Sequence, residues 1–215
     1  MSKVRVHNFS ISLDGFATGE GQSLEAPFGH AGTRLVEWAF GTRTFQTMFG
    51  NDGEGSDGID QDFAGAWNVG VGAEIMGRNK FGPQRGPWTD EEWKGWWGDD
   101  PPFHTPTFVL THHPRRSIEM EGGTIFHFID ATPAEALGLA REAAGGLDVR
   151  IGGGPSTVRS FLAADLVDYL HVAVVPIVLG RGVRLWDGLE AFEKRFQVES
   201  NSSPSGVTHL AFTRI

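Results

Sequence analysis

Three consecutive glycines, Gly152, Gly153 and Gly154, follow a β-branched segment and precede Pro155, which suits the first turn of a helix. Glycine lets the backbone turn sharply and approach a flat or anionic group closely. The free N–H groups and the positive dipole end of the helix would face such a group, and a diphosphate is the usual guest. A tight strand-to-helix turn without a ligand has the same pattern, so the spacing alone leaves both interpretations open.

Two further turns carry groups that bind anions, and each follows a predicted strand. They are Gly77-Arg78-Asn79 and Thr111-His112-His113-Pro114-Arg115. In an open α/β sheet the carboxyl ends of the strands meet at one crevice, where ligands bind. The three turns together favour a dinucleotide with several phosphates. Arg115 or Arg116 would suit a 2′-phosphate, which favours NADP over NAD.

Other chemistries fit the sequence less well. It has no Gly-x-x-x-x-Gly-Lys-Ser/Thr loop for a nucleoside triphosphate and no Gly-x-Ser-x-Gly nucleophile turn. The adjacent His112 and His113 would point to opposite sides of a strand, and no helical His-x-x-x-His pair exists, so no metal site is predicted. The acidic loop at 50–58 has the wrong spacing for calcium.

The composition indicates a globular protein. The chain has 215 residues, 40% hydrophobic and 21% charged, and we expect one domain over residues 1–215. The net charge of -9 disfavours nucleic acid and anionic membranes as partners, so any anionic ligand needs a local positive patch. No apolar run is long enough to span a bilayer, and no signal peptide is recognisable. The absence of cysteine is compatible with the cytoplasm.

Strands and helices alternate along most of the chain, and the end is all strand. This pattern predicts an α/β fold with a mostly parallel sheet and an antiparallel C-terminal edge. Predicted strands cover residues 3–13, 74–77, 107–110, 124–129, 169–178, 196–200 and 207–213. Predicted helices cover 59–68, 132–144 and 157–164, with a helix or turn within 34–48. Residues 82–106 carry four tryptophans within 88–97, and a short helix capped by Thr89 is predicted there. The four tryptophans form either a lid or an interface, or a local hydrophobic cluster that holds a long loop against the rest of the protein.

The order and spacing of several motifs resemble the dihydrofolate reductase-like superfamily. The motifs are Ser12-Leu13-Asp14-Gly15, Met76-Gly77-Arg78, Ile151-Gly152-Gly153-Gly154 and the segment from Pro176 to Gly182. The branch that the chain resembles most includes the C-terminal reductase domain of the bifunctional riboflavin-biosynthesis deaminase-reductase. This resemblance implies an NADPH-binding fold with helices on both faces of a sheet of about eight strands, the last reversed. It also implies a homodimer that acts on a small molecule.

The resemblance assigns roles to matching residues. Gly77, Arg78 and Asn79 would meet the cofactor phosphates, and Thr111, His112 and Arg115 would hold the 2′-phosphate side. The diphosphate would lie against Gly152, Gly153, Gly154, Pro155, Ser156 and Thr157. Leu13, Asp14 and Ala17 would lie in the loop over the nicotinamide and substrate. The proton donor would be Asp14, or an aspartate of the helix at 59–68, where Asp60 and Asp62 are candidates and a solvated surface position is the alternative.

The implied activity is NADPH-dependent hydride transfer to a small, heterocyclic substrate, with 5-amino-6-(5-phosphoribosylamino)uracil as the candidate from riboflavin biosynthesis. Dihydrofolate reduction and NADPH or ligand binding without turnover remain alternatives. The sequence departs from the riboflavin enzymes in two ways. It lacks the zinc deaminase half, and Phe16 stands where those enzymes usually carry a basic residue.

Overall fold

The computed structural model describes residues 2–215. The strands are β1 (Val4–Ser12), β2 (Phe16–Thr18), β3 (Val71–Gly77), β4 (Pro106–Leu110), β5 (Ile118–Glu119), β6 (Ile125–Ile129), β7 (Asp148–Gly153), β8 (Tyr169–Val175), β9 (Val183–Arg184), β10 (Phe196–Ser202) and β11 (Thr208–Arg214). The helices are α1 (Glu37–Phe40), α2 (Arg43–Met48), α3 (Ile59–Gly65), α4 (Arg78–Phe81), α5 (Pro133–Ala143) and α6 (Pro155–Ala163). The architecture is mixed α/β, with a mostly parallel central sheet and antiparallel edge strands, which confirms the predicted fold class. Within residues 2–215, no helix is both long enough and apolar enough to cross a membrane.

The chain divides into two compact units, of which the first is Met1–Arg5 with Gly70–Leu166. Its strands follow the order β1-β7-β3-β4-β6-β5. All of these pairs are parallel except the last, in which β5 lies antiparallel to β6. The parallel strands are buried and rich in β-branched and aromatic residues, as strands covered on both faces usually are.

Helix α5 illustrates how the sequence sets an element of this unit. Thr132 accepts a hydrogen bond from the backbone of Glu135, and the Glu135 side chain accepts one from the backbone of Thr132. This capping box, with Pro133 in the first turn, satisfies N–H groups that a helix start leaves without partners. The predicted helix and its start are confirmed.

The second unit, Val6–Val69 with Val167–Ile215, has the strand order β10-β11-β8-β1. Strand β11 runs antiparallel to both β8 and β10, so the reversed C-terminal strand and the terminal hairpin are confirmed. A small ribbon pairs β2 with β9. One face of β8 packs on helix residues in a buried apolar cluster that includes Leu35, Trp38, Ala39, Ala64 and Ala173.

Three sequence predictions about local structure were wrong. Strand β8 ends at Val175, because Pro176 has no N–H to continue the pairing. The strand predicted over residues 3–13 is irregular at Asn8, whose φ of 55° turns its backbone out of the regular strand. No helix forms in the tryptophan-rich loop, because the Gln84 side chain accepts bonds from the Thr89 backbone and hydroxyl and from the Asp90 backbone.

Candidate cofactor site and substrate loop

The glycine turn joins β7 to α6 in the first unit. Gly153 has a φ of +112°, a conformation that side chains rarely adopt. Gly154 is the N-cap of α6, and Pro155 occupies its first turn without any side chain capping the helix. A Cβ built on Gly154 would meet no atom of residues 2–215 within 4 Å. Open space is therefore left beside the start of this helix, where an anion cradle would need it.

Gly77, at the end of β3, lies against the same helix start. A Cβ on Gly77 would clash with the Thr157 hydroxyl of α6. Close approach of the two turns thus requires glycine at position 77. Two of the three turns predicted from the sequence are therefore brought together.

Arg78 connects these turns to the third one. Its Nη1 lies 3.5 Å from the Thr111 hydroxyl and donates to the Gly86 carbonyl at 2.5 Å. Its Nε and Nη2 are buried and find no acceptor within residues 2–215. Burial, followed by the charge of Arg85, lowers the pKa of Arg78. Two buried donors without acceptors are costly, and an anionic ligand would supply both the acceptors and the opposite charge.

Arg115 is placed differently from what the sequence suggested. Its Nη1 donates to the Glu91 carbonyl at 2.8 Å and its Nη2 to the Trp93 carbonyl at 2.5 Å. Its guanidinium carbon lies 4.1 Å from the centre of the Trp88 ring and 4.4 Å from that of Phe128. These contacts anchor the tryptophan-rich loop to the first unit, and contact with a 2′-phosphate would require some of the bonds to the loop to break.

The other predicted cofactor residues of this unit are more exposed. The His112 side chain is 91% exposed, and its Nδ1 lies 3.0 Å from Asp130 Oδ1. Asn79 and Ser156 are exposed as well, and Pro155 and Thr157 are partly buried. All of them except His112 lie in helices α4 and α6, each of which directly follows a strand. Among residues 2–215, no group of three or more potential metal ligands is arranged to hold an ion.

A buried ion cluster beside the glycine turn was missed in the sequence. Glu74 of β3 accepts hydrogen bonds from Nε and Nη2 of Arg150, and Lys80 Nζ lies 3.2 Å from its other oxygen. Burial lowers the pKa of Lys80 to about 8, against the raising effect of Glu74. The visible signal was a charged residue in the middle of each of two apolar strands. Opposite charges that are buried in this way need to be paired.

The loop that is predicted to cover the substrate lies in the second unit, and Asp14 fixes it. The Ser12 hydroxyl donates to Asp14 Oδ1 at 2.6 Å, and the backbone N–H groups of Leu179 and Gly180 donate to the carboxylate at 3.1 and 2.7 Å. The Ser12 hydroxyl above all lowers the pKa of Asp14 to about 2. Leu13, with 61% exposure, and the partly buried Ala17 flank this anchored position. A cavity of about 750 Å³ opens beside the loop, lined in part by Leu13, Asp14 and Trp186.

The two aspartates of α3 differ in their surroundings. Asp62 is exposed. Asp60 accepts hydrogen bonds from His209 Nε2 and the Ser203 hydroxyl, both at 2.7 Å. The alternative of a solvated surface position is therefore wrong for Asp60. The signal was weak, because histidines far apart in the sequence meet only through strand pairing.

The chain is similar to proteins of riboflavin biosynthesis and to a dihydrofolate reductase. The sequence profile of the RibD C-terminal domain matches residues 3–208. A riboflavin biosynthesis protein structure from Shewanella sp. PV-4 shares 20% identity and a TM-score of 0.60, over 100% of this chain and 99% of that one. Dihydrofolate reductase from Enterococcus faecalis, complexed with NADP(H), shares 12% identity and a TM-score of 0.52. That alignment covers 99% of this chain and 96% of the Enterococcus chain.

A third similar structure is that of a bifunctional deaminase and reductase. The diaminohydroxyphosphoribosylaminopyrimidine deaminase/5-amino-6-(5-phosphoribosylamino)uracil reductase from Thermotoga maritima shares 12% identity and a TM-score of 0.56. The alignment covers 100% of this chain and 57% of the Thermotoga chain. No curated protein sequence matches the chain.

Proposed function

Since this chain belongs to the RibD C-terminal domain family, we propose that it is an NADPH-dependent reductase that transfers a hydride to a small, heterocyclic substrate. The observation that carries this proposal is that the three turns predicted to bind anions lie close together in the first unit. Arg78 lies 3.5 Å from Thr111, and Gly77 packs against Thr157. Turns at the ends of parallel strands form the usual ligand crevice of an α/β sheet.

The residues of these turns fit the phosphates of a dinucleotide. Gly152, Gly153 and Gly154, with the start of α6, would hold the diphosphate through backbone N–H groups. Arg78 offers two buried donors that lack acceptors in the described chain, and Thr111 adds a hydroxyl. These groups would take the 2′-phosphate, which is why we propose NADPH as the cofactor.

The cofactor and the protein would contribute different parts of the reaction. When bound, the reduced nicotinamide supplies a hydride to an electrophilic carbon of a C=N or C=O group. The chain orients the reactants, and we assign Leu13 and Ala17 to the loop that covers them. Asp14 is ionised at neutral pH, since its pKa is about 2, so we assign it to holding this loop. Asp62, which is exposed, remains the candidate proton donor.

The candidate substrate is 5-amino-6-(5-phosphoribosylamino)uracil, and one contact in the second unit favours a phosphorylated compound. Phe16 replaces the basic residue expected after the Asp14-Gly15 turn. Arg184 pairs with Phe16 across the β2–β9 ribbon, and its guanidinium carbon lies 4.6 Å from the centre of the Phe16 ring. A positive charge is therefore present beside this position.

We also propose a homodimer in the cytoplasm, which sedimentation and cell fractionation would test.

The proposal is tested by adding NADPH and the candidate substrate to the purified protein. We expect saturable NADPH binding by calorimetry and loss of nicotinamide absorbance only when the pyrimidine is present. We also expect the gene to restore growth of a riboflavin-requiring strain that lacks the reductase. Absence of NADPH binding would refute the proposal. Binding without hydride transfer would instead favour a ligand-binding role.

A further inference from the structure

The loop at 82–106 places one tryptophan between two arginines. The guanidinium carbons of Arg78 and Arg115 lie 3.8 and 4.1 Å from the centre of the Trp88 ring. Two guanidinium groups can approach one ring this closely only from opposite faces, because they would overlap on the same face. Cation–π attraction and dispersion favour both contacts.

Trp88 is held in place by groups other than Arg78. Its Nε1 donates to the His113 carbonyl at 2.6 Å, and its ring meets Phe81 and Phe128 edge to face at 6.1 and 5.4 Å. Arg115 fastens the same loop through its two bonds to backbone carbonyls. The ring is therefore a fixed surface against which Arg78 stacks.

Stacking fixes Arg78 without using up its hydrogen-bond donors. The Trp88 ring accepts no conventional hydrogen bond, and the Gly86 carbonyl uses Nη1. Nε and Nη2 stay without acceptors in the structure of residues 2–215, while Nη1 lies 3.5 Å from the hydroxyl of Thr111, the residue that follows β4. Holding a guanidinium in position before binding reduces the entropy lost when it binds a phosphate.

We propose that Trp88 is a positioning residue that gives the cofactor site its preference for a 2′-phosphate, acting through Arg78. This inference rests on the proposed function. A phosphate monoester supplies negative charge and several acceptor oxygens, whereas the 2′-hydroxyl of NAD supplies neither charge nor more than one oxygen. Loss of Trp88 therefore weakens binding of the phosphorylated ligand selectively.

The test compares 2′,5′-ADP with 5′-AMP in calorimetric titrations of the full chain. Trp88→Ala is expected to weaken 2′,5′-ADP binding by about tenfold and 5′-AMP binding by less than about twofold. Trp88→Phe keeps an aromatic face and should retain most of the preference. Trp96→Ala is the matched control, because Trp96 belongs to the same loop and meets Trp93 edge to face.

A double variant separates positioning from general damage to the fold. Arg78→Gln should lose the preference, and adding Trp88→Ala to it should weaken 2′,5′-ADP binding no further. Additive losses would overturn the inference, as would equal losses for both ligands or a Trp88→Ala variant that matches Trp96→Ala. A wild-type protein that binds NADPH and NADH equally would overturn it and leave a reductase function standing. Absence of any nucleotide binding would refute the proposed function itself.

Discussion

Gly152 and Gly154 are close neighbours in one turn, but only the surroundings of Gly152 exclude a side chain. A Cβ on Gly152 would clash with the Glu74 carboxylate and would lie 2.7 Å from Lys80 Nζ. A Cβ on Gly154 would enter open space. The first position is therefore constrained by the buried ion cluster, whereas at the second we expect the constraint to come from the ligand.

Alanine at each position separates the two roles. Gly152→Ala should lower the free energy of unfolding by about 1–3 kcal/mol, because the ion cluster must shift to make room. Gly154→Ala should change it by less than about 0.5 kcal/mol, and should weaken NADPH binding by about tenfold. Urea denaturation and calorimetry measure the two effects. Equal effects of the two variants on stability, or unchanged NADPH affinity in Gly154→Ala, would contradict this division.

Asp14 shows how a single carboxylate stabilises a loop. Its folded pKa of about 2 lies below the ordinary aspartate value, so it stabilises the folded state above about pH 4 and loses that contribution as the pH falls toward 2. Asp14→Asn should therefore reduce stability at pH 7 and differ progressively less from wild type between pH 4 and pH 2. Denaturation curves across this range test it, with the exposed Asp62→Asn as control. A pH-independent difference would argue against the ionised role.

At the scale of elements, one buried chain of hydrogen bonds joins β1, β8, β11 and α3 in the second unit. The Asn8 N–H donates to His171 Nδ1 at 3.1 Å, so a neutral His171 carries its proton on Nε2. That proton points to His209 Nδ1 at 2.9 Å, and His209 Nε2 then donates to Asp60 at 2.7 Å. Phe63 stacks on both imidazole rings. Its ring centre lies 4.2 Å from that of His171 and 4.6 Å from that of His209.

This chain of bonds has no place for another proton. Burial, then the neighbouring His209 and His7, hold the pKa of His171 well below its usual value. The neutral form therefore stabilises the fold above about pH 6.5, and the contribution is lost as the pH falls below that value. We expect unfolding free energy to fall with acidification, by at most about 1.4 kcal/mol per pH unit for one proton.

Substitution of His171 identifies the source of this pH dependence. His171→Gln should be less stable at pH 7, because the bond to Asn8 or to His209 is lost, and should have a shallower slope between pH 7 and pH 5.5. His112→Gln, whose native side chain is 91% exposed, should keep the wild-type slope. Denaturation at several pH values provides the measurement. An unchanged slope in His171→Gln would show that other groups carry the pH dependence.

The strands that carry these histidines show which features can be predicted from sequence and which cannot. Strand β8 and the hairpin of β10 and β11 were predictable from alternation and turn residues, as was the capping box of α5. The meeting of His171 and His209 was not, because it depends on the strand register that pairs Ala173 with His209. The two-residue strands β5 and β9 are too short for any periodicity to show.

For the whole molecule, charge and location of the candidate site have to be considered together. The net charge of -9 means that long-range attraction does not bring an anionic cofactor to the chain. Arg78 and Arg115 both lie against Trp88, and we propose that Arg78 provides the local positive charge that an anionic cofactor needs. The sequence predicted the three turns. It could not show that Arg115 bonds the loop carbonyls, or that Arg78 keeps two donors without acceptors among residues 2–215, since both depend on tertiary packing.

Hydrogen exchange with and without NADPH would map the proposed site over the whole chain. We expect slower exchange in 77–79, 111–115 and 152–157, where backbone N–H groups would face the phosphates, and in 13–17, the loop assigned to the nicotinamide. Helix α5 should be unaffected and serves as the internal control. NADH at the same concentration should protect the same segments less, because it lacks the 2′-phosphate. Protection that omits 152–157 would contradict the cradle, whereas protection that omits only 13–17 would contradict the assignment of the loop.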